Sequence, residues 1–590
     1  MKYDIIKNKL SMFYNIISIM LFGGNMSSNI SKQKREKMMR FLSKLKEEHK
    51  DDDSMLIALA EIEAELNAKK YGLVWEEHEE AVNVMMKDNI PVFTECIDKE
   101  IHASDSDSYN FLLEGDNLHS LHLLEKTHKG KIDVIYIDPP YNTGSNDFIY
   151  DDNMIDNSDG FRHSKWLSFM SERLSIARNL LSNEGLILIS INEIELYALK
   201  LLCDSIFGEI NFLANFIWQS TPGSNTGLDI KTVTEYVICY AKNKTYCTTG
   251  ANIIECDEEK YNLQDEFVER RGKYTLNKLD RRMTGQHYSD ALNYQITMPD
   301  GTKLFPGSNI EKQSYWNWRW SQSKVQWGID NGFIVFKQIK GNWAVYFKQY
   351  FKVNNKDELM QRAQPYQNLI KELDGINSAR GTQEVMGIFN SKKFDYPKPI
   401  NLLKYLLNVH ANKNSKILDF FAGSGTTAQA VLELNKEDGG NRKFILCTNN
   451  ENGICENITY QRIKTVITGK REDGSDYSDG IPANLKYYRT DFVSKNEEYL
   501  SEALLEHVAE MIQLEHGIKL DGKRYITVMN DDDADRLAEH WSEYPDVKAL
   551  YVSKNVLFTT EQNALFKDVD IHIIPDYYFN FELREVGETW

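Results

Sequence analysis

Asp138-Pro139-Pro140-Tyr141 sets a carboxylate, two rigid carbonyl-bearing residues and an aromatic ring side by side. That set suits an exocyclic amino group on a planar base. The Asp138 carboxylate and the Pro139 carbonyl can accept its two N–H hydrogens, which draws the nitrogen towards sp3 geometry and frees its lone pair for attack. Tyr141 can stack on the ring. A base paired inside a duplex cannot enter such a pocket, so it has to be flipped out first. The competing reading is a plain strand exit, because Asp-Pro and Pro-Pro are common turn formers. The tetrapeptide alone does not separate the two.

A second stretch reads as strand, glycine turn and helix. Lys416-Ile417-Leu418-Asp419 leads into Phe420-Phe421-Ala422-Gly423-Ser424-Gly425-Thr426, and a helix follows from Thr427 to Leu434. Glycines let the backbone close on a ligand, and a helix start offers unpaired N–H groups. A P-loop needs a lysine after the glycines and a dinucleotide fingerprint needs a third glycine; both are missing. A carboxylate-ended strand with a short loop of small residues suits a cationic, amino-acid-bearing nucleoside such as S-adenosylmethionine. Asp419, Phe421, Ala422, Gly423, Ser424, Gly425 and Thr426 are the expected contacts. Two more acids join them. Asp116, in a Gly-Asp turn after the strand beginning at Tyr109, either meets the ligand's adenine or ribose or caps the next helix. Glu451, in Thr448-Asn449-Asn450-Glu451 after a strand from Arg442, is the candidate ribose contact.

Both stretches need a sheet behind them. Lys131 to Ile137 is a short run rich in β-branched residues, as in a buried parallel strand. Two prolines then end its ladder, so the chain leaves at the carboxyl end of the strand, where open α/β sheets bind ligands. Strands at Leu186–Ile191 and Tyr236–Ala241, with helices at Ser164–Leu181 and Ile194–Ile206, continue the alternation of a doubly wound sheet. Asp147 to Asp159 is polar and predicts a loop over the site. Asp395-Tyr396-Pro397-Lys398-Pro399 opens an apolar helix ending near Leu407, which can pack against a ligand.

A chain of 590 residues exceeds one core and implies several domains. Its net charge of −19 counts against a uniformly basic nucleic-acid binder but not against a locally basic cleft. Seven cysteines are scattered without metal-ligand spacing, which predicts a reduced, cytoplasmic protein and no metal. The apolar run Met12–Phe22 is too short to span a membrane and lacks a cleavage site, so residues 1–28 read as a disordered lead or start-site artefact. Residues 29–100 read as a helical segment, with one helix over 29–49 and another from Asp53 or Ser54 to a glycine stop at Gly72.

From 243 to 390 the alternation stops. This stretch carries Arg270, Arg271, Lys273, Arg281, Arg282 and Arg319 with Trp316, Trp318, Trp320, Trp327 and Trp343, half of the chain's ten tryptophans. Aromatic residues interleaved with cations fit stacking on bases and pairing with phosphates. The individual tryptophans read better as the core of a small β domain. Residues 486–590 predict a long helix (Glu497–Leu514), then strands near Arg524–Met529, Val547–Val552 and Val569–Ile574, a small α/β interaction domain.

Taken together, the chain resembles the amino-methylating DNA methyltransferases of the β order, in which a DPPY box (Asp138–Tyr141) precedes a target-recognition insert and an FxGxG box (Phe421–Gly425) follows it. It resembles in particular the modification subunits of Type III restriction systems. The resemblance implies a circularly permuted, doubly wound methyltransferase sheet made of residues 101–242 and 391–485, with the insert at 243–390 reading DNA. It implies S-adenosylmethionine as donor, double-stranded DNA as substrate, a homodimer and a restriction (Res) subunit as partners. The DPPY form points to adenine N6 over cytosine N4. A solitary methylase, an RNA or protein acceptor, and a non-catalytic DNA-binding module are the alternatives.

Overall fold

The computed structural model describes residues 30–50, 53–67, 75, 78–144, 149–150, 153–154, 159–222, 230–253, 259–283, 287–370, 376–575 and 578–585. The expectations for residues 1–28 and Gly72, and most of that for the Asp147–Asp159 loop, lie outside them. The chain divides into two compact units, residues 1–75 and 76–590. In the first, helices Ile30–Glu48 and Asp53–Asn67 are joined by a Lys46–Glu63 ion pair.

The second unit is built on an 11-stranded sheet. Its main strands in chain order are β1 (Asn89–Glu95), β2 (Asn110–Glu114), β3 (Ile132–Ile137), β4 (Leu181–Ile191), β5 (Phe212–Gln219), β6 (Thr234–Ala241), β7 (Leu369–Ile370), β8 (Lys416–Asp419), β9 (Lys443–Thr448) and β10 (Asn484–Ser494). They lie in the order β1-β10-β2-β9-β8-β3-β4-β6-β5-β7, and Ile101–His102 pairs with β10. The run from β10 to β4 is parallel throughout. β6 is antiparallel to both β4 and β5. Strands β2, β3, β8 and β9, and β4 from Gly185 to Ile191, are mostly apolar with little exposure, as a parallel sheet covered on both faces requires.

β8 lies directly beside β3, pairing Ile417 with Val134 and Leu418 with Ile135. The two chemical stretches therefore leave neighbouring strand ends, although the insert separates them in sequence. Helices Asn117–His128, Arg162–Leu180, Leu196–Phe207, Ile400–Leu407 and Thr426–Asp438 supply buried apolar faces.

Three sequence expectations are corrected. Residues 29–100 are not helical throughout, because β1 adds Ile90, Val92 and Phe93 to the sheet. The last unit does not begin at 486, because β10 runs to Ser494 between β1 and β2. The long helix is two shorter ones, Leu500–Leu505 and Val508–His516, broken where the His507 ring meets the Phe93 carbonyl at 3.0 Å. The three C-terminal strands form as expected, as a parallel sheet of Tyr525–Val528, Ala549–Val552 and Asp570–Ile573. Within the insert, Trp318 and Trp320 are buried in the core and Trp327 and Trp343 pack against it, while Trp316 is half-buried outside that cluster.

Candidate active site

The exit from β3 is held from two sides. Trp166, buried on helix Arg162–Leu180, donates from its indole to the Pro140 carbonyl at 2.7 Å. Asn142, in the left-handed conformation at φ 55°, donates to Glu195 at 2.6 Å and to the Arg162 carbonyl at 3.3 Å. His163 meets the same Glu195 oxygen at 2.5 Å. Burial raises the Glu195 carboxyl above its ordinary range, against the opposing effects of Asn142 and His163. A turn with a positive φ at a non-glycine residue persists only where its surroundings fix it, and these contacts do so.

Asp138, at the strand end, meets a cluster of charge. Lys398 Nζ lies 2.9 Å from Asp138 Oδ2 and 3.5 Å from Glu235 Oε2, and 4.8 Å from the centre of the Tyr141 ring. The Tyr141 hydroxyl donates to Glu235 at 3.2 Å. Burial alone would lower the Lys398 pKa, but the two carboxylates outweigh it and raise it, so the ammonium is kept. Burial, then Asp138 and Glu235, push the Tyr141 phenol well above its ordinary value, so it is a neutral hydroxyl. The other Asp138 oxygen, Oδ1, is buried without a hydrogen-bond partner among the described residues. Such an acceptor costs on the order of 1–3 kcal/mol unless something fills it.

At the end of β8 the loop folds on itself. Asp419 Oδ1 accepts from the Phe421 amide at 3.0 Å and Oδ2 from the Thr427 hydroxyl at 2.5 Å. Burial lifts the Asp419 carboxyl to about 7; Thr427 and Phe421 oppose this, while the Asp138 charge adds to it. Gly423 and Gly425 are left-handed at φ 48° and 75°, and a Cβ would stand 3.2 Å from the Phe394 ring and from Thr459 respectively. Glycine is needed at both. Gly425 caps helix Thr426–Asp438, Ala422 is buried, and the Phe421 ring lies 5.8 Å from that of Phe169. Buried Arg462 braces the turn, donating to Thr426 Oγ1 at 2.7 Å, Ser424 Oγ at 3.1 Å and Gln429 at 2.9 Å. Burial holds its pKa down at about 10.

The outlying acids behave differently from each other. Asp116 caps helix Asn117–His128 by accepting from the Leu118 amide at 2.7 Å, and its Oδ1 also lies 3.5 Å from Arg173. The capping role is therefore filled, with one oxygen spent on it. Arg173 is bidentate to Glu80 and bonds Asn117, whose amide reaches the Phe420 carbonyl. That chain of contacts ties β2 to the glycine loop. Glu451 is exposed in a short turn after β9.

The basic residues of the insert also separate. Arg271 is buried, bonded to Asp357 at 3.0 Å and the Asn331 carbonyl at 3.0 Å, and packed on Phe267, Phe333 and Tyr350. Its guanidinium belongs to the insert's core and has no face to offer DNA, a correction to the sequence expectation. Arg270 is exposed but paired with Asp357. Arg281 and Arg282 are exposed on the strand Asp280–Arg282, with Arg282 against the Tyr315 ring. Arg319 is exposed and, with Asn277, Gln349 and Arg362, lines a cavity of about 450 Å³. Lys273 directly precedes the strand Tyr274–Lys278, and its carbonyl accepts from the Phe351 amide at 2.9 Å.

Glu235, Asn142, Glu195 and Arg462 carried no signal in the sequence. Lys398 carried one, a single cation between two prolines in a segment expected to approach the ligand.

The model of the DNA methylase family matches residues 132–461, both boxes included. The Mod subunit of the Type III restriction-modification enzyme StyLTI from Salmonella typhimurium is 32% identical over 394 residues, covering 61% of this chain and 55% of its own. The EcoPI Mod subunit of Escherichia phage P1 is 30% identical over 443 residues, covering 68% and 66%. The Type II methyltransferase M.KpnI of Klebsiella pneumoniae is 32% identical over 378 residues, covering 62% and 86%. This chain thus spans between about half and two thirds of the two Mod subunits. With the match running from β3 through the glycine loop and beyond β9, the chain belongs to the DNA methylase family.

Proposed function

We propose that this protein transfers a methyl group from S-adenosylmethionine to the N6 amino group of an adenine flipped out of double-stranded DNA. It acts as the modification subunit of a Type III restriction–modification system, as a homodimer able to join a restriction subunit. The observation that carries this is Asp138, with one oxygen fixed by Lys398 and the other buried and unfilled, beside the glycine loop. A non-catalytic DNA-binding module would have no use for that oxygen. The Type III assignment is supported by the Mod subunits among the relatives.

The residues present fit the donor. Gly423 and Gly425 hold left-handed conformations in which a Cβ would crowd Phe394 and Thr459, and helix Thr426–Asp438 starts at that point. Phe421 offers a ring, and Asp116 and Glu451 are the acids within the same rim for adenine and ribose. When bound, S-adenosylmethionine supplies an electrophilic methyl group. Asp138 Oδ1 and the Pro139 carbonyl accept the two hydrogens of the target amine and turn its lone pair outward. Tyr141, a neutral phenol, stacks on the base. The amine loses its proton after attack, so no strong base is required, and positioning with electrostatics supplies the rate. Arg281, Arg282 and Arg319 are among the exposed cations of the insert that can meet the duplex. Residues 495–585 are the surface for protein partners.

The test is incubation with labelled S-adenosylmethionine and unmethylated plasmid DNA, followed by mass spectrometry of the nucleosides. N6-methyladenine is expected. N4-methylcytosine would overturn the choice of base, and cofactor binding without transfer to DNA would overturn DNA as the acceptor.

A further inference from the structure

We infer that Lys398 and Glu235 are positioning residues for the Asp138 carboxylate, a charge clamp that holds one oxygen so that the other faces the target amine. The inference rests on the methyl-transfer reading. Lys398 touches both carboxylates, at 2.9 and 3.5 Å, and Glu235 is tied in turn to the Tyr141 hydroxyl. Asp138 therefore cannot rotate without breaking an ion pair, and its free oxygen is aimed.

The clamp is built from three parts of the chain. Lys398 stands between Pro397 and Pro399, whose fixed φ angles stiffen its backbone. Helix Ser378–Phe389 presses on that segment at Gly381, where a Cβ would stand 2.1 Å from the Pro397 carbonyl. Glu384 of the same helix accepts from the Ile400 amide at 2.9 Å, fixing the start of the next helix. Glu235 comes from β6 and Asp138 from the end of β3.

Charge explains why a lysine and a second acid are both present. Two carboxylates and one ammonium leave a net charge of −1, which favours the positive charge that develops on the attacking nitrogen. The remaining titratable groups around Asp138 are the phenols of Tyr136 and Tyr141, held neutral by burial first, and Asp419 on β8. Among the described residues, Lys398 is the cation paired with both carboxylates. With Lys398 gone, repulsion between the two acids favours binding of a proton by the pair. A protonated Asp138 is a poor acceptor for the amine.

The experiment compares Lys398→Met, the double variant Lys398→Met/Glu235→Gln and Lys398→Arg with the wild type. Single-turnover transfer is followed from pH 6 to 9 at saturating DNA and S-adenosylmethionine. Lys398→Met is expected to transfer about 30-fold more slowly at the acid end and to recover as pH rises, a limb the wild type lacks. Lys398→Arg keeps the charge and the wild-type profile, and the double variant loses the limb because the repulsion is gone. Thermal melting gives a readout without turnover. A shared proton means a carboxyl pKa raised in the folded state, so Lys398→Met loses stability relative to the wild type as pH rises through neutrality, and the double variant does not. The double variant keeps the wild-type net charge of −1 and keeps the test open where the single variant does not fold. A wild-type pH profile in Lys398→Met, or a double variant showing the same acid limb and melting trend, would overturn the clamp. No transfer by the wild type would instead overturn the methyl-transfer reading, while the melting comparison would still judge the clamp.

Discussion

Asp265 and Asp138 each stand beside a lysine and a tyrosine, and the two clusters are finished differently. In the insert, Asp265 accepts from Lys348 and Tyr350, each at 2.5 Å, on one oxygen and from the Phe267 amide at 3.1 Å on the other. Every acceptor there is spent, and the three partners together hold the carboxyl below its usual range despite burial. At the sheet rim, Asp138 accepts from Lys398 on one oxygen only, while Tyr141 turns its hydroxyl to Glu235. The first cluster is complete without a ligand. The second leaves Asp138 Oδ1 buried without a hydrogen-bond partner among the described residues, at the end of a strand beside the glycine loop.

Substitutions in each region read out its role. Asp265→Ala strands the Lys348 ammonium in a buried setting and is expected to cost about 3 kcal/mol of stability. Chemical denaturation would show this, and the rate of methyl transfer on DNA already bound should stay near wild type. A fall in that rate without loss of stability would erase the distinction. A smaller effect sharpens the other side. Gly425→Val places a side chain against Thr459 in a left-handed turn, and is expected to weaken S-adenosylmethionine binding about tenfold by calorimetry. Unchanged affinity would move the cofactor away from that turn.

What the sequence revealed follows from burial. β2, β3, β8 and β9, with β4 from Gly185 onward, are largely buried and read as short, mainly apolar runs, so the central sheet and both boxes were legible. The outer strands were not. β1 contains Pro91, which argues against a strand unless it lies at an edge, where the structure puts it. β10 is buried only from Asn484 to Tyr488 and then turns polar, and β7 is two residues long. The site was half legible for a similar reason. Asp138 and the glycines announce themselves by local spacing, but Lys398 and Glu235 meet Asp138 only because the sheet and helix Ser378–Phe389 bring distant segments together. Neighbouring arginines show the same limit, since nothing local distinguishes buried Arg271 from exposed Arg282.

The most direct test is single-turnover methyl transfer by Asp138→Ala, beside the wild type and Asp265→Ala, at saturating DNA and S-adenosylmethionine. Loss of the unfilled acceptor is expected to slow transfer at least about 1000-fold while cofactor and DNA affinities stay within a fewfold of wild type. A variant that transfers at a rate near the wild type's would contradict the account, because Asp138 would then be no more than the end of a strand.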